Sequence, residues 1–173
     1  MSVTPIEVHI VPATAEHQEF LWEMLYLSLY AEPGQEPFAR EIVHQPGLSK
    51  YVEHWGRTGD AGFIALVQEE HSTDMQPIGA VTSRFFTNDN KSYGYVADDI
   101  PELSLAIVPG YRGAHIGTSL VFALLDELRR RKYPGVSLSV SPGNPALRLY
   151  ERFGFREVGV EGTSLTMLLR WDG

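Results

Sequence analysis

At 173 residues, 43% of them hydrophobic, the chain fits one domain that buries most of the surface it would expose unfolded. A formal charge of −8 weighs against nucleic acid or an anionic membrane as the main partner and suits a cationic small substrate, while zero cysteines exclude disulfides, thiolate metal sites and a covalent cysteine intermediate. No apolar run reaches the roughly 18 to 20 residues of a membrane span, and the N-terminus lacks a secretory pattern, so a cytoplasmic location is expected.

Alternation of Ile6, Val8 and Ile10 with Glu7 and His9 predicts a strand over 6–11. Thr14 is a candidate N-cap for a helix over 15–30, whose stripe of Phe20, Leu21, Met24, Leu25 and Leu29 is interrupted by one polar residue, Ser28. Residues 32–59 carry Pro33-Gly34, Pro37 and Pro46-Gly47, which predict short helices and turns. Strands are expected at 61–69 and 78–86, joined by a polar hairpin loop, and 87–99 reads as a surface loop. A strand over 103–108 runs through Pro109-Gly110 and a small-residue loop into a helix over 117–132, which buries Leu120, Val121, Leu124, Leu125 and Leu128 and ends in Arg129 to Lys132. That basic run is simplest as a solvated helix end. A strand over 136–140 follows, then Asn144-Pro145 as helix cap and first helical residue, a face of Ala146, Leu149, Tyr150 and Phe153, a stop at Gly154, and strands near 157–160 and 164–171. The order predicts a single α/β domain over 1–173.

The loop Arg112, Gly113, Ala114, His115, Ile116, Gly117 stands between a strand and a helix N-terminus, where unpaired backbone N–H groups and the helix dipole favour an anion such as pyrophosphate. It resembles the pyrophosphate-binding motif Q/R-x-x-G-x-G/A of the GNAT superfamily of N-acetyltransferases. The segment from Asn144 through Ala146, Leu149 and Tyr150 to Gly154 and Phe155 resembles that family's second motif, N-x-A-x-x-L-Y-x-x-x-G-F. The resemblance covers about 61–171, and the N-terminal third only in outline. His115 departs from it, standing where the motif has its central glycine.

The resemblance implies a mixed central sheet of six to seven strands with helices on both faces and a splayed parallel strand pair. It implies acetyl-CoA as acyl-donor cosubstrate, bound by a core over about 100–155, with acceptor-side elements over about 14–59. Pantetheine would pair with backbone groups of Leu105, Ala106 and Ile107. Pyrophosphate would sit on Gly113, Ala114, His115, Ile116, Gly117 and Thr118, with Arg112 fixing the loop or assisting the phosphates and Asn144 contacting the cofactor. Tyr150 matches the general acid for the departing thiolate, and Glu102, on the strand face of Ser104 and Ala106, matches a carboxylate base acting directly or through water. Without a cysteine, direct transfer in a ternary complex is expected over a thiol-acyl intermediate.

Each assignment has a structural alternative: Tyr150 as a packed aromatic, Glu102 as a solvated strand-start carboxylate, Asn144 as a helix cap, His115 as a solvent-facing loop side chain. His9, His17, His44, His54 and His71 lack ligand spacing, so no metal site is expected. The leading expectation is an N-acetyltransferase acting on a primary amine of a small molecule or peptide; the alternative is a catalytically silent acyl-CoA-binding sensor or scaffold. A P-loop nucleotide hydrolase fails because no Gly-Lys-Ser/Thr follows the loop. Tyr26, Tyr30, Glu32, Glu36, Tyr51 and Trp55 are candidates to line the acceptor pocket, and packing or surface residues otherwise. The resemblance also allows a homodimer paired through terminal strands.

Overall fold

A computed structural model describes residues 7–68, 71–112 and 115–171. Its strands are β1 (Val8–Pro12), β2 (Ala61–Gln68), β3 (Met75–Arg84), β4 (Glu102–Ile107), β5 (Gly135–Val140), β6 (Arg156–Glu161) and β7 (Ser164–Arg170), and its helices are α1 (Gln18–Ser28), α2 (Pro46–Ser49), α3 (Ile116–Arg130) and α4 (Ala146–Arg152). The strands form one seven-stranded sheet in the order β1-β2-β3-β4-β5-β7-β6, antiparallel except for the parallel pair β4 and β5. Ile6, Glu69, Gly113 and Ala114, assigned above to a strand end or to the phosphate loop, lie outside the described residues.

Apolar clusters cover both faces of the sheet. On one face α3 buries Leu120, Val121, Leu124 and Leu128, and α4 adds Tyr150, against Val81, Leu103, Val136 and Leu138. On the other, α1 and the segment after α2 bury Leu21, Met24, Leu25, Tyr51 and Trp55 against Ile64, Ala80 and Ala106. Two-residue alternation therefore divides β4: Leu103 faces α3, while Glu102, Ser104 and Ala106 face α1.

Helix ends follow from their local chemistry. Thr14 caps as expected, but the turn it caps is a 3-10 turn, Ala15–His17, which leads into α1. Helix α3 stops one step before the Pro134-Gly135 expected to end it: Lys132 takes φ 64° and the Tyr133 N–H donates to the Leu128 carbonyl at 3.2 Å, a Schellman closure. Pro77 sits at the irregularity in the β2–β3 register, where a residue without an N–H costs no ladder bond.

The irregular segment after α1 is anchored by a buried ion pair that periodicity does not reveal. Arg84 Nη2 and Nε donate to the two carboxylate oxygens of Asp60 at 2.8 and 3.0 Å, and Nη1 donates to the carbonyls of Lys50 and Glu53 at 2.9 and 2.8 Å. Asp60 in turn accepts the N–H groups of Gly56 and Arg57. Gln18 completes the attachment, donating to the Val52 carbonyl at 2.7 Å and accepting the Trp55 N–H at 2.6 Å. These contacts hold Tyr51 over the sheet. No helix among the described residues is long and apolar enough to cross a membrane.

Candidate active site

The parallel strands β4 and β5 pair at a single position, Glu102 with Ser137, supported by the Ser137 N–H donating to the Pro101 carbonyl at 2.9 Å. Beyond it they diverge, as the expected splay requires. The Val108 N–H donates to the Ile78 carbonyl at 2.7 Å, which sets the phase of the β3–β4 ladder. By alternation, the backbone groups of Ala106 and Ser104 point to β3, and those of Leu105 and Ile107 point into the opening. Of the three residues expected to offer backbone groups to pantetheine, two face the gap. Ala106 instead presents its side chain to the α1 side.

At the far end of β4 the chain turns through Gly110, at φ 99°, toward α3. Arg112 donates Nε to the Ile107 carbonyl at 3.4 Å, tying the loop to the strand. His115 adopts φ 60° and ψ 17°, the left-handed conformation a glycine takes without strain, and its side chain is exposed. The loop thus keeps a glycine-like backbone without the glycine. The first N–H groups of α3, on Ile116, Gly117 and Thr118, precede the first intrahelical bond, from Ser119 to the His115 carbonyl at 3.1 Å. A Cβ on Gly117 would meet Ile107 and Leu149 side chains at 3.4 Å, so the start of α3 packs closely on β4 and α4. An extended chain bearing amides at one end and an anionic group at the other fits this cradle.

Glu102 is buried at 4% exposure at the root of the splay. One carboxylate oxygen, Oε1, accepts from the Ser92 hydroxyl at 2.9 Å and from the Gly94 N–H, and the Tyr51 phenol and Lys50 also act on the carboxylate. Burial outweighs these partners and raises its pKa from 4.5 to about 7. The Tyr51 phenol is pushed well above its ordinary value, first by burial and then by the Glu102 charge. Ser137, opposite Glu102 in the sheet, has a buried hydroxyl with no hydrogen-bond partner among the described residues.

The loop over 87–99 is only partly the surface loop its polarity suggests. Its centre enters the fold to reach Glu102: Ser92 is 7% exposed, and a Cβ on Gly94 would lie 2.5 Å from Glu102 Oε1 and 2.7 Å from the Leu138 backbone. Hydrogen bonding to a buried carboxylate repays the burial of polar residues, a signal invisible in composition.

Tyr150 lies on the opposite face of the sheet, 6% exposed, with its ring 5.8 Å from that of Phe155. Burial alone raises its phenol well above the usual range. Glu102 and Tyr150 thus lie on opposite faces of the sheet. Asn144 Oδ1 accepts the Ala146 N–H at 2.9 Å, so its carbonyl end caps α4, with Pro145 as the N-cap residue rather than the first helical one.

A narrow, partly open pocket lies between α1 and β3–β4, on the Glu102 face of β4. Leu21, Met24, Leu25, Val52, Ala80 and Ala106 form its apolar wall, and Ser28, Tyr51, Thr82 and Ser104 supply hydroxyls. Ser28, the polar break in the α1 stripe, is the sequence signal for this surface. Of the candidates for lining the pocket, Tyr51 does so. Trp55 is buried under Arg84, the Tyr26 hydroxyl donates to the Phe38 carbonyl at 2.5 Å, and Tyr30 stands against Gly143. Glu32 and Glu36 are exposed and outside it. Among the described residues, no cluster of three or more His, Cys, Asp or Glu side chains is placed to hold a metal ion.

The model of the Acetyltransferase (GNAT) family matches residues 22–155. The chain belongs to this family of acetyltransferases. A stretch of 65 residues is 34% identical to the ribosomal protein bS18-alanine N-acetyltransferase of Haemophilus influenzae, covering 38% of this chain and 44% of that protein. Another of 74 residues is 38% identical to the mycothiol acetyltransferase of Acidothermus cellulolyticus, covering 42% of this chain and 23% of that protein. The chain thus spans less than half the length of the curated relatives it matches. The fold is similar to that of the PaiA N-acetyltransferase from Thermoplasma acidophilum, solved in complex with coenzyme A, with a TM-score of 0.62 and 18% identity over 95% of this chain and 99% of that one.

Proposed function

We propose that the protein transfers the acetyl group of acetyl-CoA to a primary amine by direct attack in a ternary complex. The observation that carries this reading is the single-pair junction of β4 and β5, with Glu102 at its root on the α1 face. Acetyl-CoA supplies the thioester. Leu105 and Ile107 offer it backbone amides, and the N–H groups at the start of α3 oppose its pyrophosphate.

An amine attacks only when neutral, so its ammonium must first lose a proton. Glu102, with its pKa raised to about 7, is an anion just above neutrality and still basic enough to hold that proton. Tyr150 stays protonated in the resting site, because burial raises its phenol; it donates to the departing thiolate, and the second proton that the nitrogen releases as the amide forms restores it. The two groups act from opposite faces of the sheet, one on the nucleophile and one on the leaving group.

The described pocket carries hydroxyls and an apolar wall and no carboxylate among its lining residues. This favours an amine borne on a small apolar group, including a peptide N-terminus, over a polyamine or aminoglycoside. The peptide case is supported by the likeness to a ribosomal-protein alanine N-acetyltransferase. CoA release measured over a panel of alkylamines, small peptides and polyamines tests the reading. Apolar primary amines and alanyl peptides are expected to turn over fastest. Tight CoA binding with no amine-dependent release from any of them would replace the enzyme with an acyl-CoA sensor.

A further inference from the structure

Three consecutive residues of the loop over Glu102 are pinned from two sides. Ser92 Oγ and the Gly94 N–H both donate to Glu102 Oε1, and the N–H between them, on Tyr93, donates to the Tyr51 hydroxyl at 2.9 Å. Lys50, the neighbour of Tyr51, donates its ammonium to Asn90 Oδ1 at 3.2 Å and to the Lys91 carbonyl, just upstream in the same loop. Residues 50 and 51 thus hold the loop from Asn90 to Tyr93. They are themselves fixed: the Lys50 and Glu53 carbonyls accept from Arg84 Nη1 at 2.9 and 2.8 Å, and the Tyr51 ring packs on Phe86 with centroids 5.1 Å apart. Arg84 is the register partner of Glu102 on β3, so the strand pair that carries the carboxylate also anchors the clamp above it.

Resting on the assignment of Glu102 as base, we infer that Tyr51 and Lys50 are positioning residues: they hold residues 90–94 in place and so keep the Ser92 and Gly94 donors on the carboxylate. An O–H or N–H aimed at a carboxylate favours the anion, the form that can take a proton from an ammonium. Burial pulls the other way, so each donor lost leaves Glu102 protonated to a higher pH. The charged and titratable groups beside Glu102 are Tyr51 and Lys50 from the clamp and Arg84 from β3, whose guanidinium is taken up by Asp60 and the two carbonyls. From β5 Ser137 stands opposite, and the loop contributes Ser92 and Gly94, none of them ionisable.

The test uses the isotopically labelled full chain and reads Gly94 amide exchange and the Glu102 carboxyl titration by NMR, neither of which needs a substrate. Gly94 and Glu102 are untouched in Tyr51→Phe and Lys50→Met, so their contact reports on the clamp. Both variants should speed Gly94 exchange, Tyr51→Phe by about tenfold or more, while the amides of β5 and β7 exchange as in the wild type. The Glu102 carboxyl should titrate about one pH unit higher in Tyr51→Phe, the size expected when hydrogen bonds to a charged group weaken. Lys50→Met leaves the Tyr51 contacts in place and keeps the inference testable should Tyr51→Phe fail to fold. Unchanged Gly94 exchange overturns the inference even if the carboxyl titration moves, because the phenol or the ammonium charge would then be acting directly. With acetyl-CoA and ethylamine, the ratio of Tyr51→Phe to wild-type kcat/KM should be near unity above about pH 9 and fall to about one-tenth below about pH 6. A ratio depressed equally at every pH marks a merely structural loss and also overturns the inference. A ratio that stays at unity while Gly94 exchange and the carboxyl titration both move overturns the base assignment itself, with the clamp intact.

Discussion

Replacing Glu102 by glutamine should change how stability depends on pH, and this requires no substrate. The carboxyl titrates at about 7 in the folded chain and at 4.5 when unperturbed, so the folded state binds this proton more tightly than the unfolded state does. The resulting stabilisation is fully present below about pH 4.5 and is lost as pH rises through about 7. At ~1.4 kcal/mol per pKa unit, the shift amounts to about 3 kcal/mol. The glutamine side chain does not titrate, and its amide oxygen can still accept from Ser92 and Gly94. Urea unfolding of the wild type and Glu102→Gln between about pH 4.5 and 8 should therefore show the variant gaining on the wild type by about 3 kcal/mol across that window, whatever constant offset the amide introduces. Tyr51 does not interfere, because its pKa is displaced upward, away from the window. Parallel stability curves would mean that Glu102 titrates like an exposed carboxyl, and the physical basis for its role as a base would be gone.

The buried pair of Asp60 and Arg84, each 5% exposed, makes a second prediction. Asp60→Ala should cost about 3 to 5 kcal/mol by leaving the guanidinium unpaired, and the double variant with Arg84→Met should lose less than the sum of the single losses in a urea-based cycle. At His115, held at φ 60°, substitution by valine should cost about 1 to 2 kcal/mol in the same assay, because a β-branched side chain is strained there. His115→Gly should stay within about 1 kcal/mol of wild type, since relief of strain and gain in unfolded-chain entropy oppose each other.

The part of the fold that repeats was legible in the sequence. The α3 stripe from Leu120 to Leu128 and the alternation around Val136 and Leu138 carry their periods openly, and Gly117 and Asn144 mark where helices begin. Local patterns also placed Glu102 on the face of Ser104 and Ala106. Long-range pairing has no such signature. Arg84 reaches Asp60 across 24 positions and Tyr51 binds the Tyr93 N–H across 42, so neither spacing betrays the contact. The 87–99 segment looked solvated because its residues are polar, but Ser92 and Gly94 are buried at the one place where a carboxylate needs donors. The acceptor pocket was the least legible part: Glu32 and Glu36 share a composition that suits a cation, and the fold leaves both outside.

The most direct measurement of the proposed chemistry compares amine-dependent CoA release by the wild-type protein and Tyr150→Phe, alongside calorimetric binding of acetyl-CoA. Loss of the thiolate's proton donor should lower kcat by about 100-fold or more with acetyl-CoA affinity retained, because the phenyl ring keeps its packing against Phe155. Turnover by Tyr150→Phe at the wild-type rate would contradict the assignment of this buried phenol as the acid of the reaction.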